Sequence, residues 1–441
     1  MAIISVIKSY LISYLARGIS SECWLSVKRT LHEVKRRLLK REHRFEIFID
    51  IQDPYSYLLL QALVEFRTHY FSHLKSVFHF YPVNSRDIEA FPELVLWKAN
   101  AFDDACYLAE RYGFDFPANE PMRSDGEVRC AQAALFKAEN SLTACLAVFR
   151  HFWQEEAELD SGSLDCYSLL DARLKTNNHY LNRRGHYMGG MLYYAGEWYW
   201  GVDRLAHLER RLIELKGLNI QALFDKSGLA FKDFKERKAK VCEHLSPLTL
   251  YFSIRSPYSH LGLEQAVRVS EHYGVNLVVK PVLPMVMRGL SVPSKKKLYI
   301  FHDTKREAMK LGIRYGFVAD PLGKGVEHCY ALFDYACRQG REVEYLLAYS
   351  RAVNTLGVNS QSLSGLKKIV QMAGLDWQEA KTELNSEVWR DWAKLNLEEL
   401  YALGLWGVPS FSYKECQVWG QDRLVRIEDE ILEDIKRAEQ T

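Results

Sequence analysis

The 441-residue sequence predicts a mixed α/β protein built from two tandem copies of one domain, each with a long helical insertion. Two observations support this prediction. Short motifs recur in the same order in both halves of the chain. Each half also shows the same succession of strand, helix, strand, helical middle and closing strand pair. The length is typical of two or three domains of ~100–200 residues.

Three short motifs occur twice, in the same order. They are PYS at 54–56 and 257–259, RYGF at 111–114 and 314–317, and the pair WGVDRL at 200–205 and WGQDRL at 419–424. The first two share an offset of 203 residues and the third an offset of 219, so the second copy has a net 16 residues more between its shared ends. Three ordered matches are hard to obtain by chance, and we therefore predict a duplication.

Each copy opens with a β-branched and aromatic run that predicts a buried strand, then a proline turn, a helix and a second strand. The predicted ranges are strands 45–51 and 248–254, helices 55–69 and 258–273, and second strands 76–83 and 276–282. A strand–helix–strand unit favours a parallel pair with a right-handed crossover. The predicted closing strands are 191–194 with 198–200, and 410–413 with 417–419. A last helix is expected to begin at each Asp-Arg-Leu motif, capped by its aspartate.

The predicted domain organisation has four parts. These are a basic amphipathic helical extension at 1–43, a first domain at 44–217, a linker at 218–245 and a second domain at 246–437.

The extension combines apolar residues at helical spacing with a basic stretch. The apolar residues are Ile4, Ile7, Leu11 and Leu15, and the basic residues are Lys35, Arg36, Arg37, Lys40, Arg41 and Arg44. The apolar segment is shorter than the ~18 residues that span a bilayer, and Lys8 lies inside it, unlike the charge of a secretory signal. Two interpretations remain open: a helix packed on the protein with a solvated basic face, or a helix on an anionic membrane surface.

Composition excludes several classes of function. Lys plus Arg (58) nearly balances Asp plus Glu (56), which disfavours a nucleic-acid-binding protein with a large basic face. The nine cysteines include no C-x-x-C pair, so neither a dithiol redox motif nor a metal site is predicted. Scattered single cysteines are typical of free thiols in a reducing compartment, and we expect a cytoplasmic protein, with a peripheral membrane location as the open alternative.

The sequence Ser256-Pro257-Tyr258-Ser259 stands at a predicted helix start after a strand, the layout of a thioredoxin-type site. Serines replace both cysteines of the usual C-x-x-C, so disulfide exchange is not expected. A hydroxyl at a helix N-terminus can instead donate a hydrogen bond to an incoming thiolate. The helix dipole adds ~0.3–1 kcal/mol and the charge-assisted bond ~1.5–3 kcal/mol, enough to hold a bound thiol as thiolate at neutral pH.

Together with GVPSF at 407–411 and WGQDRL at 419–424, this motif resembles 2-hydroxychromene-2-carboxylate isomerase and kappa-class glutathione transferase, two members of the DsbA-like thioredoxin superfamily. The resemblance covers 246–437 well and 44–217 more weakly. It implies that each half is a thioredoxin-like domain with a large all-helical insertion of the DsbA/kappa type.

The resemblance also implies roles for individual residues, with glutathione as the cofactor. Ser256 would be the catalytic residue that holds the glutathione sulfur as a thiolate. The backbone of Val408 would pair with the glutathione cysteine, beside a cis peptide at Pro409. Gln421 and Asp422 would hold the γ-glutamyl end, with Asp422 facing its ammonium group.

Three further residues are candidates for an apolar substrate pocket under a helical lid: Tyr258, His260 and Trp406. The sequence departs from the family after the second strand, where the expected asparagine is missing. Lys295–Lys297 follow in this stretch, which is either a basic binding element or a solvated loop.

The first copy departs further from the family pattern. Asp53 stands where the second copy has Ser256, and a carboxylate there would repel a thiolate. Gly190 stands where the second copy has Pro409. We therefore predict that the first domain is degenerate and that Asp53 caps its helix.

These inferences predict a glutathione-dependent isomerase or transferase acting on an aromatic or electrophilic small molecule. Two alternatives stay open: a non-catalytic binding scaffold of two thioredoxin-fold domains, and a DsbA-family thiol–disulfide oxidoreductase, which the missing C-x-x-C disfavours. The two domains are expected to pair as an internal pseudo-dimer.

Overall fold

A computed structural model of the chain describes residues 11, 13–84, 89–138, 140–154, 165–226, 228–229 and 245–440. Parts of two predicted segments lie outside the described residues. In the extension these are residues 1–10 and 12, which include Ile4 and Ile7. In the predicted linker they are residues 227 and 230–244.

The described residues form two compact units. The first lies within Met1–Leu25, Gly228–Val292 and Ile300–Thr441, and the second within Ser26–Ser227 and Pro293–Tyr299. Most of the predicted second domain therefore belongs to the first of these units, and the predicted first domain belongs to the other. The boundaries proposed from sequence stay predictions.

The first half of the chain contains one four-stranded sheet and seven labelled helices among the described residues. In order they are α1 (Glu22–Leu38), β1 (His43–Ile49), α2 (Pro54–Tyr70), β2 (Ser76–Pro82), α3 (Leu94–Tyr112), α4 (Asp125–Lys137), α5 (Leu142–Gln154), α6 (Asp165–Arg184), β3 (Met191–Tyr194), β4 (Glu197–Trp200) and α7 (Leu205–Lys216). The strand order is β2-β1-β3-β4, with β1 parallel to β2 and the other neighbours antiparallel. Strand β1 is central and is buried at six of its seven positions, which agrees with its four apolar residues Phe45, Ile47, Phe48 and Ile49.

The second half repeats this order of elements. They are β5 (Leu248–Phe252), α8 (Pro257–Tyr273), β6 (Leu277–Pro281), a 3-10 helix (Met285–Arg288), α9 (Ser294–Lys310), α10 (Lys324–Arg338), α11 (Glu342–Thr355), α12 (Leu363–Met372), α13 (Trp377–Thr382), α14 (Trp389–Ala402), β7 (Ser410–Tyr413), β8 (Cys416–Trp419), a 3-10 helix (Gln421–Arg423) and α15 (Leu424–Glu439). The strand order is β6-β5-β7-β8, with β5 parallel to β6 and the other neighbours antiparallel. The chain is thus a mixed α/β protein with two sheets of the same topology.

The predicted strands and helices are confirmed with end shifts of one or two residues, but the predicted cap of the last helix is wrong. Helices α7 and α15 begin at Leu205 and Leu424, with Arg204 and Arg423 in the N-cap positions. In the second half Asp422 lies inside a 3-10 turn that precedes the helix. The turn displaces the aspartate from the N-cap position by one residue.

Several hydrogen bonds recur at equivalent positions of the two halves. They are Tyr70 Oη to Glu209 (2.7 Å) and Tyr273 Oη to Glu428 (2.8 Å), Tyr55 Oη to Asp104 (2.8 Å) and Tyr258 Oη to Asp303 (2.7 Å), and Gly201 N to Gly190 O (2.8 Å) and Gly420 N to Pro409 O (2.9 Å). The first pair joins the helix after the first strand to the last helix of each half. Each half therefore fixes its sheet-covering helices through the same polar contacts.

Candidate active site

The centre of the candidate site is the N-terminus of α8, where Ser256 is the N-cap residue. Its backbone is extended (φ −78°, ψ 116°), and its Oγ accepts a hydrogen bond from the Ser259 N–H at 3.2 Å. Pro257 occupies the first helical position, where its missing N–H is not needed. The Ser256 hydroxyl therefore lies in the positive field of the helix N-terminus.

The loop before β7 lies against this hydroxyl. Ser256 Oγ donates a hydrogen bond to the carbonyl of Val408 at 3.1 Å, which joins residues 152 positions apart in the chain. The Val408–Pro409 peptide bond is cis, as the family resemblance implies. Ser410 Oγ closes the loop by donating to the Gly407 carbonyl at 2.8 Å. Two of the motifs singled out in the sequence thus meet at one point.

The third motif meets the same loop from its other end. The N–H of Gly420 donates to the Pro409 carbonyl at 2.9 Å. Gln421 follows and is 4% exposed, and its Nε2 donates to Asp422 Oδ1 at 2.7 Å. The hydrogen bond from Gly420 therefore links the Val408–Pro409 loop to the turn that contains Gln421 and Asp422.

Tyr258 joins the motif to helix α9. Its hydroxyl donates to Oδ2 of the fully buried Asp303 at 2.7 Å, and Arg306 donates to the other carboxylate oxygen at 2.8 Å. The phenol is therefore held by a buried ion pair, while the residue stays partly exposed beside Ser256.

His260 lies in a different environment from the other candidates. It is 1% exposed, and its Nε2 is 3.5 Å from Glu264 Oε1. Arg351 of α11 donates to both carboxylate oxygens of Glu264, at 2.6 and 2.7 Å. Burial acts to raise the pKa of Glu264, but hydrogen bonds from Arg351 and His260 outweigh it and lower that pKa to about 2. These contacts make His260 part of the packing between α8 and α11, and we leave it out of the proposed pocket.

Trp406 is 4% exposed and packs against Trp419, with ring centroids 4.7 Å apart and ring planes tilted by 43°. Trp419 in turn packs against a buried cluster that contains Tyr251 and Leu405. A Cβ added to Gly407 would lie 2.5 Å from Trp419 Nε1, so the loop can approach the indole only with glycine at this position. Trp406 and Trp419 therefore form the apolar support of the Val408 loop.

Sequence reasoning missed Arg288, the last residue of the 3-10 helix after β6. Its Nη2 donates to the Trp406 carbonyl at 3.3 Å, which brings a guanidinium to the residue pair that precedes Val408. The available signal was its position directly after the second strand, where the family has a basic residue. Lys295–Lys297, which also follow the second strand, were considered as the basic binding element instead.

The interpretation of Lys295–Lys297 as a solvated loop is wrong, because these residues lie in the first turn of α9. Lys295 Nζ donates to Asn182 Oδ1 at 2.6 Å and Lys296 Nζ to the Ala90 carbonyl at 2.6 Å. Both lysines belong to the Ser26–Ser227 unit rather than to the unit that contains Ser256.

The equivalent position in the first half has different chemistry. Asp53 is the N-cap of α2, and its carboxylate accepts from the N–H groups of Tyr55 and Ser56, at 3.3 and 3.0 Å, which confirms the predicted cap. A Cβ added to Gly190 would lie 2.7 Å from Asp53 Oδ2. The carboxylate therefore occupies space that any larger residue at 190 would need.

A small cavity of about 20 Å³ adjoins this carboxylate. It is lined by Asp50, Asp53, Phe91, Leu94, Trp97, Met188, Gly189 and Trp200. Its volume is close to that of a single water-sized void, so it has no room for a tripeptide.

Among the described residues, no group of three or more His, Cys, Asp or Glu side chains could hold a metal ion. The cysteines that the structure characterises are free thiols: Cys23, Cys106, Cys130, Cys145, Cys329, Cys337 and Cys416. None of the helices in the described ranges is long and apolar enough to cross a membrane.

Comparison with solved structures gives neighbours of low sequence identity. A 2-hydroxychromene-2-carboxylate isomerase is 20% identical, with 44% of this chain and 98% of the other covered and a TM-score of 0.39. A probable DsbA oxidoreductase from Streptomyces coelicolor is 19% identical, with 43% and 90% covered and a TM-score of 0.34. The cytosolic disulfide reductase DsbM from Pseudomonas aeruginosa, solved with GSH, is 14% identical, with 45% and 100% covered and a TM-score of 0.35.

The comparison with curated proteins found no match. The family model of the DSBA-like thioredoxin domain matches residues 248–432, which contain Ser256, the Val408 loop and the Gly420–Asp422 element. The second half of the chain therefore contains a DSBA-like thioredoxin domain.

Proposed function

We propose that the domain at 246–437 binds glutathione and acts as a glutathione-dependent isomerase or transferase on an aromatic or electrophilic small molecule. The main support is the meeting of Ser256 Oγ with the Val408 carbonyl at 3.1 Å, beside the cis-Pro409 loop. A hydroxyl at a helix N-terminus would bind the thiol of such a peptide, and backbone groups of the adjacent loop would bind its main chain.

The charges around this point fit the charges of glutathione. Its ammonium group requires an acidic partner, and Asp422 provides a carboxylate next to the loop. Its carboxylates require donors, and we assign Arg288 to one of them, because its guanidinium already reaches the Trp406 carbonyl. The Val408 backbone would bind the cysteinyl part of the peptide.

Bound glutathione supplies a thiolate nucleophile. Ser256 is the residue that would stabilise it: rotation of its hydroxyl from the Val408 carbonyl turns the proton toward the sulfur, while Oγ still accepts from the Ser259 N–H. The helix N-terminus adds a favourable field of ~0.3–1 kcal/mol, and the charge-assisted bond ~1.5–3 kcal/mol. The thiol proton is released to solvent on binding at neutral pH.

We also propose that the chain arose by tandem duplication and that its first half has lost this site. The equal strand orders and the recurring hydrogen bonds support the duplication. The carboxylate of Asp53 at the N-terminus of α2 supports the loss, because it would repel a thiolate. Pairing of the domains as an internal pseudo-dimer, and a cytoplasmic location, stay predictions.

A binding scaffold without catalysis is the second candidate. One observation favours it: the Ser256 hydroxyl already donates to the Val408 carbonyl, so the contact has a structural use without any ligand. A disulfide oxidoreductase has less support, because Ser256 and Ser259 stand where that chemistry needs cysteines.

Calorimetric titration of glutathione into the full-length protein tests the proposal. Measurements in two buffers of different ionisation enthalpy give the number of protons released. We expect the wild type to bind with release of a proton and Ser256→Ala to bind more weakly without it. Ser362→Ala, which removes the N-cap of α12, is the matched control and should behave as the wild type. Absence of binding at millimolar glutathione would contradict the enzymatic proposal and favour the scaffold.

A further inference from the structure

Helix α1 exposes a continuous apolar stripe. Trp24, Val27, Leu31, Val34 and Leu38 follow one another at intervals of three and four residues, which places them on one side of the helix. Their exposed fractions are 46%, 42%, 64%, 48% and 78%, in that order. The preceding helical residues add exposed leucine and isoleucine side chains at 15 and 19. No residue of α1 is buried.

The opposite side of α1 is the one that contacts the protein, and it is charged. Arg29 donates to both carboxylate oxygens of Glu197, at 2.8 and 2.9 Å. Arg36 donates to Glu33 at 2.6 and 2.8 Å, and this hydrogen bonding is the main reason that the pKa of Glu33 falls to about 2. A surface helix normally buries its apolar side and exposes its charges, so the orientation of α1 is the reverse of the usual one.

The exposed charges that border the stripe are positive. At ~100° per residue, Lys35 lies along one border of the stripe and Arg37 lies beyond the other. Lys40 and Arg41 follow directly after the helix and are also exposed. The one acidic side chain in the helix interior, Glu33, is already paired with Arg36 and Arg37.

We propose that α1 is an interfacial helix that lies flat on an anionic bilayer. The apolar stripe enters the boundary between headgroups and acyl chains, and the flanking lysines and arginine contact acidic headgroups. Its 17 residues give a length of ~25 Å, enough for an in-plane anchor. A second copy of the chain is a poorer occupant, because pairing two such stripes would place lysines and arginines of both copies side by side.

Vesicle co-sedimentation of the full-length protein tests this proposal. The vesicles are phosphatidylcholine alone and phosphatidylcholine mixed with phosphatidylserine. We expect binding to the mixed vesicles only, and weaker binding as the salt concentration rises. The double variant Leu31→Gln, Leu38→Gln should lower the partition coefficient about tenfold or more. Its matched control, Leu363→Gln, Leu395→Gln, removes two equally exposed leucines elsewhere and should bind as the wild type.

A second pair of variants tests the charges. Lys35→Gln, Lys40→Gln should reduce binding about fivefold for each lysine removed. Lys367→Gln, Lys368→Gln, on the exposed side of α12, removes the same charge and should have no effect.

The melting temperature of each variant checks folding, and it should not change because the substituted side chains are exposed. If the double leucine variant does not fold, Leu38→Gln alone, at a position that is 78% exposed, replaces it. Equal binding to both kinds of vesicle, or none to either, would overturn the proposal. If the wild type does not bind lipid and the leucine variant has a lower mass than the wild type in sedimentation, the stripe is a contact between two copies of the chain.

Discussion

Replacement of Ser256 by alanine should destabilise the protein by an amount that its two hydrogen bonds determine. Loss of the N-cap acceptor for the Ser259 N–H costs about 1 kcal/mol. Loss of the hydrogen bond to the Val408 carbonyl, which then has no hydroxyl partner, costs about 1 kcal/mol more. We therefore expect Ser256→Ala to lower the free energy of unfolding by about 2 kcal/mol.

Ser362→Ala calibrates this value. Ser362 is also an N-cap serine, and its Oγ accepts from the Gly365 N–H at 3.1 Å and donates to the Asn359 carbonyl at 2.8 Å. Each serine accepts one backbone N–H and donates to one carbonyl, and Ser362 Oγ is also 3.3 Å from Ser364 Oγ, so urea unfolding should give a loss of stability for Ser362→Ala that is similar to or larger than that for Ser256→Ala. If Ser362→Ala lowers the free energy of unfolding and Ser256→Ala does not, the contact between the helix N-terminus and the Val408 loop is absent in solution.

Two further predictions concern the surroundings of the site. Glu264→Gln should cost on the order of 2 kcal/mol at pH 7, after allowance for the half-exposed Arg351, and should remove a pH dependence of stability. The folded-state pKa of Glu264 is about 2, below its ordinary 4.5. The stabilisation is therefore present above pH 4.5 and is lost as the pH falls toward 2. Urea midpoints that fall equally in the wild type and in Glu264→Gln over this range would contradict the prediction. Gly407→Ala should cost about 1–3 kcal/mol by forcing Trp419 to move and should weaken glutathione binding in calorimetry. Gly18→Ala, in a helix and with open space for the added Cβ, should leave glutathione binding unchanged and should not lower the melting temperature. If Gly407→Ala is destabilised but binds glutathione as the wild type does, the Val408 loop is not part of the glutathione site.

Local sequence patterns predicted most of the secondary structure, because strands and helix starts in this chain have strong local causes. The run from Phe45 onward is apolar at nearly every position, as a central strand requires. Proline at 54 and 257, each preceded by a residue that can cap, is sufficient to start a helix. The last helices were misplaced at their starts because the 3-10 turn at Gln421–Arg423 depends on packing beside the Pro409 loop rather than on its own sequence.

The candidate site was predictable only in part. The motifs around Ser256, Val408 and Gln421 could be recognised separately, but their distances depend on contacts between residues more than 150 positions apart. Arg288 was missed because its relevance comes from a hydrogen bond to a carbonyl, which no side-chain pattern reports. The burial of His260 and the contact of its neighbour Glu264 with Arg351 could not be predicted, because Arg351 comes from a distant helix.

The two helix N-termini show how one substitution can decide the chemistry of a site. Asp53 and Ser256 both satisfy the free N–H groups of the helix they cap, so either residue is adequate for folding. The hydroxyl of Ser256 can still donate a proton to an incoming anion, whereas the carboxylate of Asp53 adds a negative charge at the same point. That charge also lies within 2.7 Å of the space that a side chain at Gly190 would occupy. Reversing Asp53 alone to serine would therefore remove the repulsion but leave the loop without the proline that shapes it in the second half. Gly190 has a φ of +66°, which proline cannot adopt, so recovery of an anion site in the first half requires a different loop backbone as well as the loss of the Asp53 carboxylate.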